Sequence, residues 1–122
     1  MSNPSTSGPR VRMKVWVEDE TGAVLLSDWR VMLLEAVEAT GSLTRAAEAM
    51  AVPYRTAWDR IRQTETALGA PLIETASGGR SGGGSRLTTT GRAYIASFHR
   101  LTEGLEETVQ TRFETELRDR LR

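Results

Sequence analysis

SLTRAAEAMAVPYRTAWDRI, residues 42–61, is the stretch on which the reading of the fold turns. Leu43, Ala46, Ala47 and Met50 stand at i, i+3, i+4 and i+7, one face of a short helix, and its alanines allow another helix to approach closely. Ser42 supplies a capping hydroxyl at its start. After Ala51 and Val52, the ring of Pro53 suits the first turn of a second helix, expected over about 53–68. Its buried stripe is read as Ala57, Trp58, Ile61 and Leu68, with Gly69 as the stop. That leaves Tyr54, Arg55, Thr56, Asp59, Arg60, Arg62 and Gln63 on the open side. Two short helices joined by a tight turn make a helix-turn-helix unit.

Working upstream, Met13, Val15 and Val17 alternate with Lys14, Trp16 and Glu18, the period of a half-buried strand. Asp19-Glu20-Thr21-Gly22 is a turn signal and Ala23-Val24-Leu25-Leu26 a returning strand, so a β-hairpin is expected. Ser27-Asp28 opens a helix with Trp29, Leu33, Ala36 and Val37 on one face, ending at Gly41. The polar residues 1–11 are expected to be a disordered tail.

Downstream, Pro71-Leu72-Ile73-Glu74 and Ser85-Arg86-Leu87-Thr88 read as paired strands around the stretch TASGGRSGGGSR, residues 75–86. A β-ribbon directly after a helix-turn-helix is a wing, here spanning 76–86. Glycines at its tip permit turns and close approach to a phosphate backbone. A phosphate-binding catalytic loop would end in Lys-Ser/Thr directly on a helix, and no lysine stands here. A long helix is expected from about Thr89, with Ile95, Phe98, Leu101 and Leu105 on one face. Val109, Phe113, Leu117 and Leu121 then recur every four residues, and with Gly104 in between the last segment is expected to be a separate or bent helix.

The 122 residues suffice for one domain and one core, so the fold class is mainly α with small β: a winged helix-turn-helix with an N-terminal β-hairpin and long C-terminal helices. The absence of cysteine excludes disulfides and thiolate metal sites, and a lone His99 makes no metal site by itself. No apolar run approaches membrane-spanning length and no signal-peptide core is present, so a soluble, cytoplasmic protein is expected. Net charge is zero, yet residues 53–98 carry a net +3 while both flanks are net negative. No nucleophile–base pair, metal cluster or paired carboxylates point to an enzyme, and no cofactor is expected.

SLTRAAEAMAVPYRTAWDRI followed by LGAPLIETASGGRSGGGSRLTTTGR resembles the N-terminal DNA-binding domain of molybdate-responsive regulators of the ModE type, and more distantly LysR-type domains. The resemblance covers roughly residues 13–105. Its most specific pieces are Tyr54 to Asp59, the Gly78–Gly84 wing and Leu87-Thr88. It implies a bacterial, dimeric winged-helix transcription factor whose partner is double-stranded DNA. Full-length members carry molybdate-binding modules after this domain. Residue 122 ends the sequence before such modules, so it resembles the one-domain form and molybdate is not expected as a ligand. Domain limits follow as 1–11 tail, 12–105 winged helix-turn-helix and 106–122 dimerisation helix.

A recognition helix presents its N-terminal residues to base edges in the major groove. Tyr54, Arg55 and Thr56 occupy those positions, extended by Asp59 and Arg60. Arg55 is the candidate for a bidentate contact to guanine. Asp59 either accepts from cytosine or pairs within the helix with Arg55 or Arg62. Tyr54 is either a ring packed at the cap or a hydroxyl on phosphate. Ser42, Thr44 and Arg45 at one helix start, with Arg80, Ser81 and Arg86 in the wing, are expected to hold the sugar–phosphate backbone. The other reading is a winged-helix module that binds protein and not DNA, for which the neutral overall charge speaks.

Overall fold

Three hydroxyl groups set three helix starts. In the computed structural model, which describes residues 8–75 and 84–121, Ser27 Oγ accepts from the Arg30 amide at 3.1 Å and Ser42 Oγ from the Arg45 amide at 3.1 Å. Thr88 Oγ1 accepts from the Gly91 amide at 2.9 Å. Each satisfies one of the amides that a first helical turn leaves without a partner. The elements are β1 (Trp16–Glu18), β2 (Val24–Ser27), α1 (Asp28–Thr40), α2 (Leu43–Ala49), α3 (Tyr54–Leu68), β3 (Ile73–Thr75), β4 (Ser85–Leu87), α4 (Thr89–Thr102) and α5 (Leu105–Glu116), followed by a 3₁₀ turn, Arg118–Leu121. Of the expected tail, residues 1–7 lie outside the described residues, and 8–11 carry no regular structure.

β1 and β2 form the expected antiparallel hairpin, with a bulge between Val17 and Glu18. Its turn is organised by Asp19, whose Oδ1 accepts from the Thr21 hydroxyl at 2.6 Å and from the Thr21 and Ala23 amides at 2.8 and 3.0 Å. The Thr21 hydroxyl first, then those amides, hold this carboxyl below the usual carboxylate range. β3 and β4 form a second, separate antiparallel pair in the register Ile73–Leu87, Glu74–Arg86 and Thr75–Ser85.

The core gathers around α1. Val31, Leu33, Leu34 and Val37 are all buried, so this helix is apolar on more than the one face expected from the sequence. The reason is its place: α2, α3, α4, β2 and β4 all pack against it. Leu43, Ala46 and Ala47 of α2, Ala57 and Ile61 of α3, Leu72, Leu87, and Ile95 and Phe98 of α4 complete the cluster.

Between α2 and α3 the chain turns through Ala51, the single non-glycine residue among those described with a left-handed backbone, φ +59°. The Val52 amide reaches back to the Ala47 carbonyl at 3.0 Å and closes the α2 terminus. Pro53 is the N-cap of α3 and the helix begins at Tyr54, one residue later than the sequence suggested.

Two expectations are corrected. Trp58, read as core, is 40% exposed; the buried stripe of α3 is Ala57, Ile61 and Thr64, with Leu68 packed beside it. At 100° per residue Trp58 lies roughly 90° away from the centre of that stripe. Thr64 takes the inner position because its hydroxyl is fully used: it donates to the Arg60 carbonyl at 3.0 Å and accepts from Arg30 at 2.6 Å. Second, Leu101 and Leu105 do not continue the buried face of Ile95 and Phe98; they are 54% and 39% exposed. Gly104, at φ +78°, breaks the chain direction there, so α5 is the separate helix the sequence indicated.

Candidate nucleic-acid interface

α3 divides its residues cleanly. Arg55, Trp58, Asp59 and Arg62 form one outer stripe at i, i+3, i+4 and i+7, roughly 140° around the helix from the buried one. The Arg55 side chain is 83% exposed and its Nε lies 3.5 Å from Asp59 Oδ1. The intrahelical pair considered from the sequence is therefore formed. Tyr54 is half exposed, while Thr56 and Arg60 are half-buried at the edges of the outer surface. Arg62 sits 3.7 Å from Glu65.

The helix is fixed from behind by a residue the sequence did not single out. Arg30 of α1 reaches across and donates to the Arg60 carbonyl at 3.2 Å and to the Thr64 hydroxyl at 2.6 Å. Burial, and then the nearby Arg60 charge, lower its proton affinity. Its partners lie about thirty residues away in the chain, so no local pattern announces it.

The start of α2 and the base of the ribbon are brought together. Ser42 caps α2, leaving Thr44 and Arg45 exposed in its first turn. Immediately before it, the Gly41 carbonyl accepts from the Ser85 amide, the first residue of β4, at 2.8 Å. The ribbon is held on its other side by Glu65, whose carboxylate accepts from the Leu72 and Ile73 amides at 2.8 and 3.2 Å. Glu38 accepts from the Leu87 amide at 3.2 Å and pairs with Arg92 at 3.4 Å. Thr88 donates to the Pro71 carbonyl at 2.8 Å. Where α4 begins, a Cβ on Gly91 would run into the Leu72 carbonyl oxygen. The glycine of the Leu-Thr-x-x-Gly run is thus a packing requirement.

Arg86 is exposed on the ribbon but bonded to the cross-strand Glu74 at 2.8 Å, which offsets its charge. Arg80 and Ser81 lie in 76–83, outside the described residues. Among the described residues no group of His, Cys, Asp or Glu is arranged to hold a metal, and no helix is long and apolar enough to cross a membrane.

The family described as bacterial regulatory helix-turn-helix proteins of the LysR family matches residues 30–92, from α1 through the ribbon into α4. The chain belongs to this LysR family. The sequence is similar to the molybdenum transport protein ModE of Azotobacter vinelandii, 43% identical over 76 residues, covering 62% of this chain and 28% of that protein. It is also 34% identical over 91 residues to the transcriptional regulator ModE of Haemophilus influenzae, covering 75% of this chain and 34% of that one. This LysR-family chain spans about a third or less of the length of these relatives. Its fold is that of the CbnR_DBD–DNA complex protein, with a TM-score of 0.56 at 22% identity over 70% of this chain and 93% of that one. It is likewise that of Vibrio fischeri DarR, solved in complex with DNA, with a TM-score of 0.57 at 19% identity over 74% and 29% of the two chains.

Proposed function

We propose that this protein is a sequence-specific, double-stranded-DNA-binding transcriptional regulator that works as a homodimer in the bacterial cytoplasm. The observation that carries the reading is the outer stripe of α3: a mostly solvent-facing row with Arg55 at its N-terminal end, inside the part of the chain that matches the LysR family. In this reading α3 enters the major groove, with Tyr54, Arg55 and Thr56 nearest the base edges and Asp59 and Arg60 beside them. Arg55 is the guanine reader. Ser42, Thr44 and Arg45 at the start of α2 engage phosphate, and Arg80 and Ser81 of the glycine-rich stretch do so together with Arg86. Arg86 contributes least, because Glu74 already holds it.

The homodimer rests on surface the monomer leaves apolar. Met13 and Val15 line a hollow with Leu105, and Val15, Trp16, Trp29 and Met32 line an adjoining one of about 500 Å³. Trp16, Met32 and Leu101 are each more than half exposed. Large apolar side chains left exposed in this number are the support for a partner surface. A second copy seated there would place two recognition helices about one DNA turn, ~34 Å, apart on a pseudo-palindrome.

The test is selection of bound duplexes from a randomised library, followed by titration against the selected and a random-sequence duplex over a range of salt. Recovery of a recurring, two-fold-related sequence with strongly salt-dependent affinity is the expected result. Salt-independent or absent binding to every duplex would replace this reading with a protein-binding winged helix.

A further inference from the structure

An aromatic ring stands among the charges of the outer α3 stripe. Trp58 is 40% exposed, with the Arg55 guanidinium carbon 6.0 Å and the Arg62 guanidinium carbon 5.3 Å from its ring centre. Trp58 follows Arg55 by three residues and precedes Arg62 by four, so it touches the turn on either side of its own. Both separations fall within the range at which an aromatic quadrupole attracts a guanidinium.

The geometry points to Trp58 as a positioning residue that sets base selectivity by holding Arg55, and with it Arg62, ready for contact. This rests on the DNA reading above. The contacts leave the useful part of Arg55 open. The Asp59 carboxylate lies 3.5 Å from its Nε, the ring centre stands 6.0 Å from the guanidinium carbon, and the side chain is 83% exposed, which leaves the terminal Nη groups accessible to a ligand. Those are the donors that reach the O6 and N7 acceptors of guanine side by side. An arginine held this way gives up less side-chain freedom when it binds, and the ring favours one direction of approach. Arg62, drawn to the same ring and to Glu65, stands about two turns beyond Arg55 on the same stripe.

The experiment compares the unmodified protein with Trp58→Leu and Trp58→Phe. Probes are a duplex selected from a randomised library, its single-base-pair variants and a random-sequence duplex. Trp58→Leu is expected to lose about five-fold in discrimination at the one base pair read by Arg55. Its affinity for the random duplex should stay within about two-fold, and Trp58→Phe should fall between. Before any DNA is added, the Arg55 and Arg62 δ-methylene protons should show an upfield ring-current displacement that Trp58→Leu abolishes. Unchanged discrimination in Trp58→Leu overturns the proposal, as does equal weakening on every duplex, which would make Trp58 itself a backbone contact. Should the leucine variant fail to fold, an undiminished discrimination in Trp58→Phe overturns it equally. If the unmodified protein binds no duplex, the DNA reading and this one fall together; selective binding that is indifferent to Trp58 removes this one alone.

Discussion

Arg55 is exposed, paired through Nε to a carboxylate one turn away and set beside the Trp58 ring, and placed at the beginning of α3. Arg55→Ala should therefore cost discrimination at one base pair, about 1–3 kcal/mol, with little change on random DNA. Binding titrations against single-substituted duplexes check this. Comparable weakening on all of them would show that the side chain meets phosphate. A second residue tests the backbone. Ala51 holds a left-handed conformation in the α2–α3 turn and is exposed, so it pays a steric cost with no packing in return. Ala51→Gly should raise stability by about 1 kcal/mol, or roughly 4 °C in thermal midpoint. A drop on calorimetric melting would mean the turn carries no strain.

At the scale of elements, the ribbon and α4 meet at Gly91, where the Leu72 carbonyl leaves no room for a side chain. Gly91→Ala should destabilise by about 1–3 kcal/mol, measured by denaturant unfolding, because backbone must move to admit the methyl group. The start of α2 makes a different kind of prediction. Arg45 is exposed there beside the Ser42 cap, and its expected contact is a phosphate. Arg45→Ala should weaken selected and random duplexes alike and reduce the log–log salt slope by about 0.9. An unchanged slope would take α2 out of the interface.

For the whole molecule, large apolar side chains stand exposed on the hairpin at Trp16, on α1 at Met32 and at the junction of α4 with α5. Leu101 and Leu105 lie on that junction at 54% and 39% exposure. Replacing both with glutamate, Leu101→Glu with Leu105→Glu, should leave the monomer folded and abolish association. Light scattering at micromolar concentration should change from dimer to monomer mass, and affinity for the paired site should fall toward that of a single half-site. Monomer mass in the unmodified protein would place this surface outside any self-association.

What was legible in the sequence was what a few neighbouring residues decide between them. Ser27 and Ser42 cap helices, Gly41 and Gly69 stop them, Asp19 and Gly22 turn the hairpin, and Gly104 parts α4 from α5, because each acts within about one turn of chain; Thr88, read as the end of a strand, is instead the cap of α4. The outward face of α3 was readable for Arg55 and Asp59 by the same periodicity. Tertiary structure alone decided that Trp58 faces solvent while Thr64 lies inside, since a buried hydroxyl is tolerable only where Arg30 arrives from another helix to satisfy it. It also decided that the buried side of α1 extends from Leu33 and Val37 round to Val31 and Leu34, and that Glu38 and Glu65 serve ribbon amides. Those outcomes depend on which distant segments become neighbours in space, and helical periodicity carries no record of the partner that will cover a face.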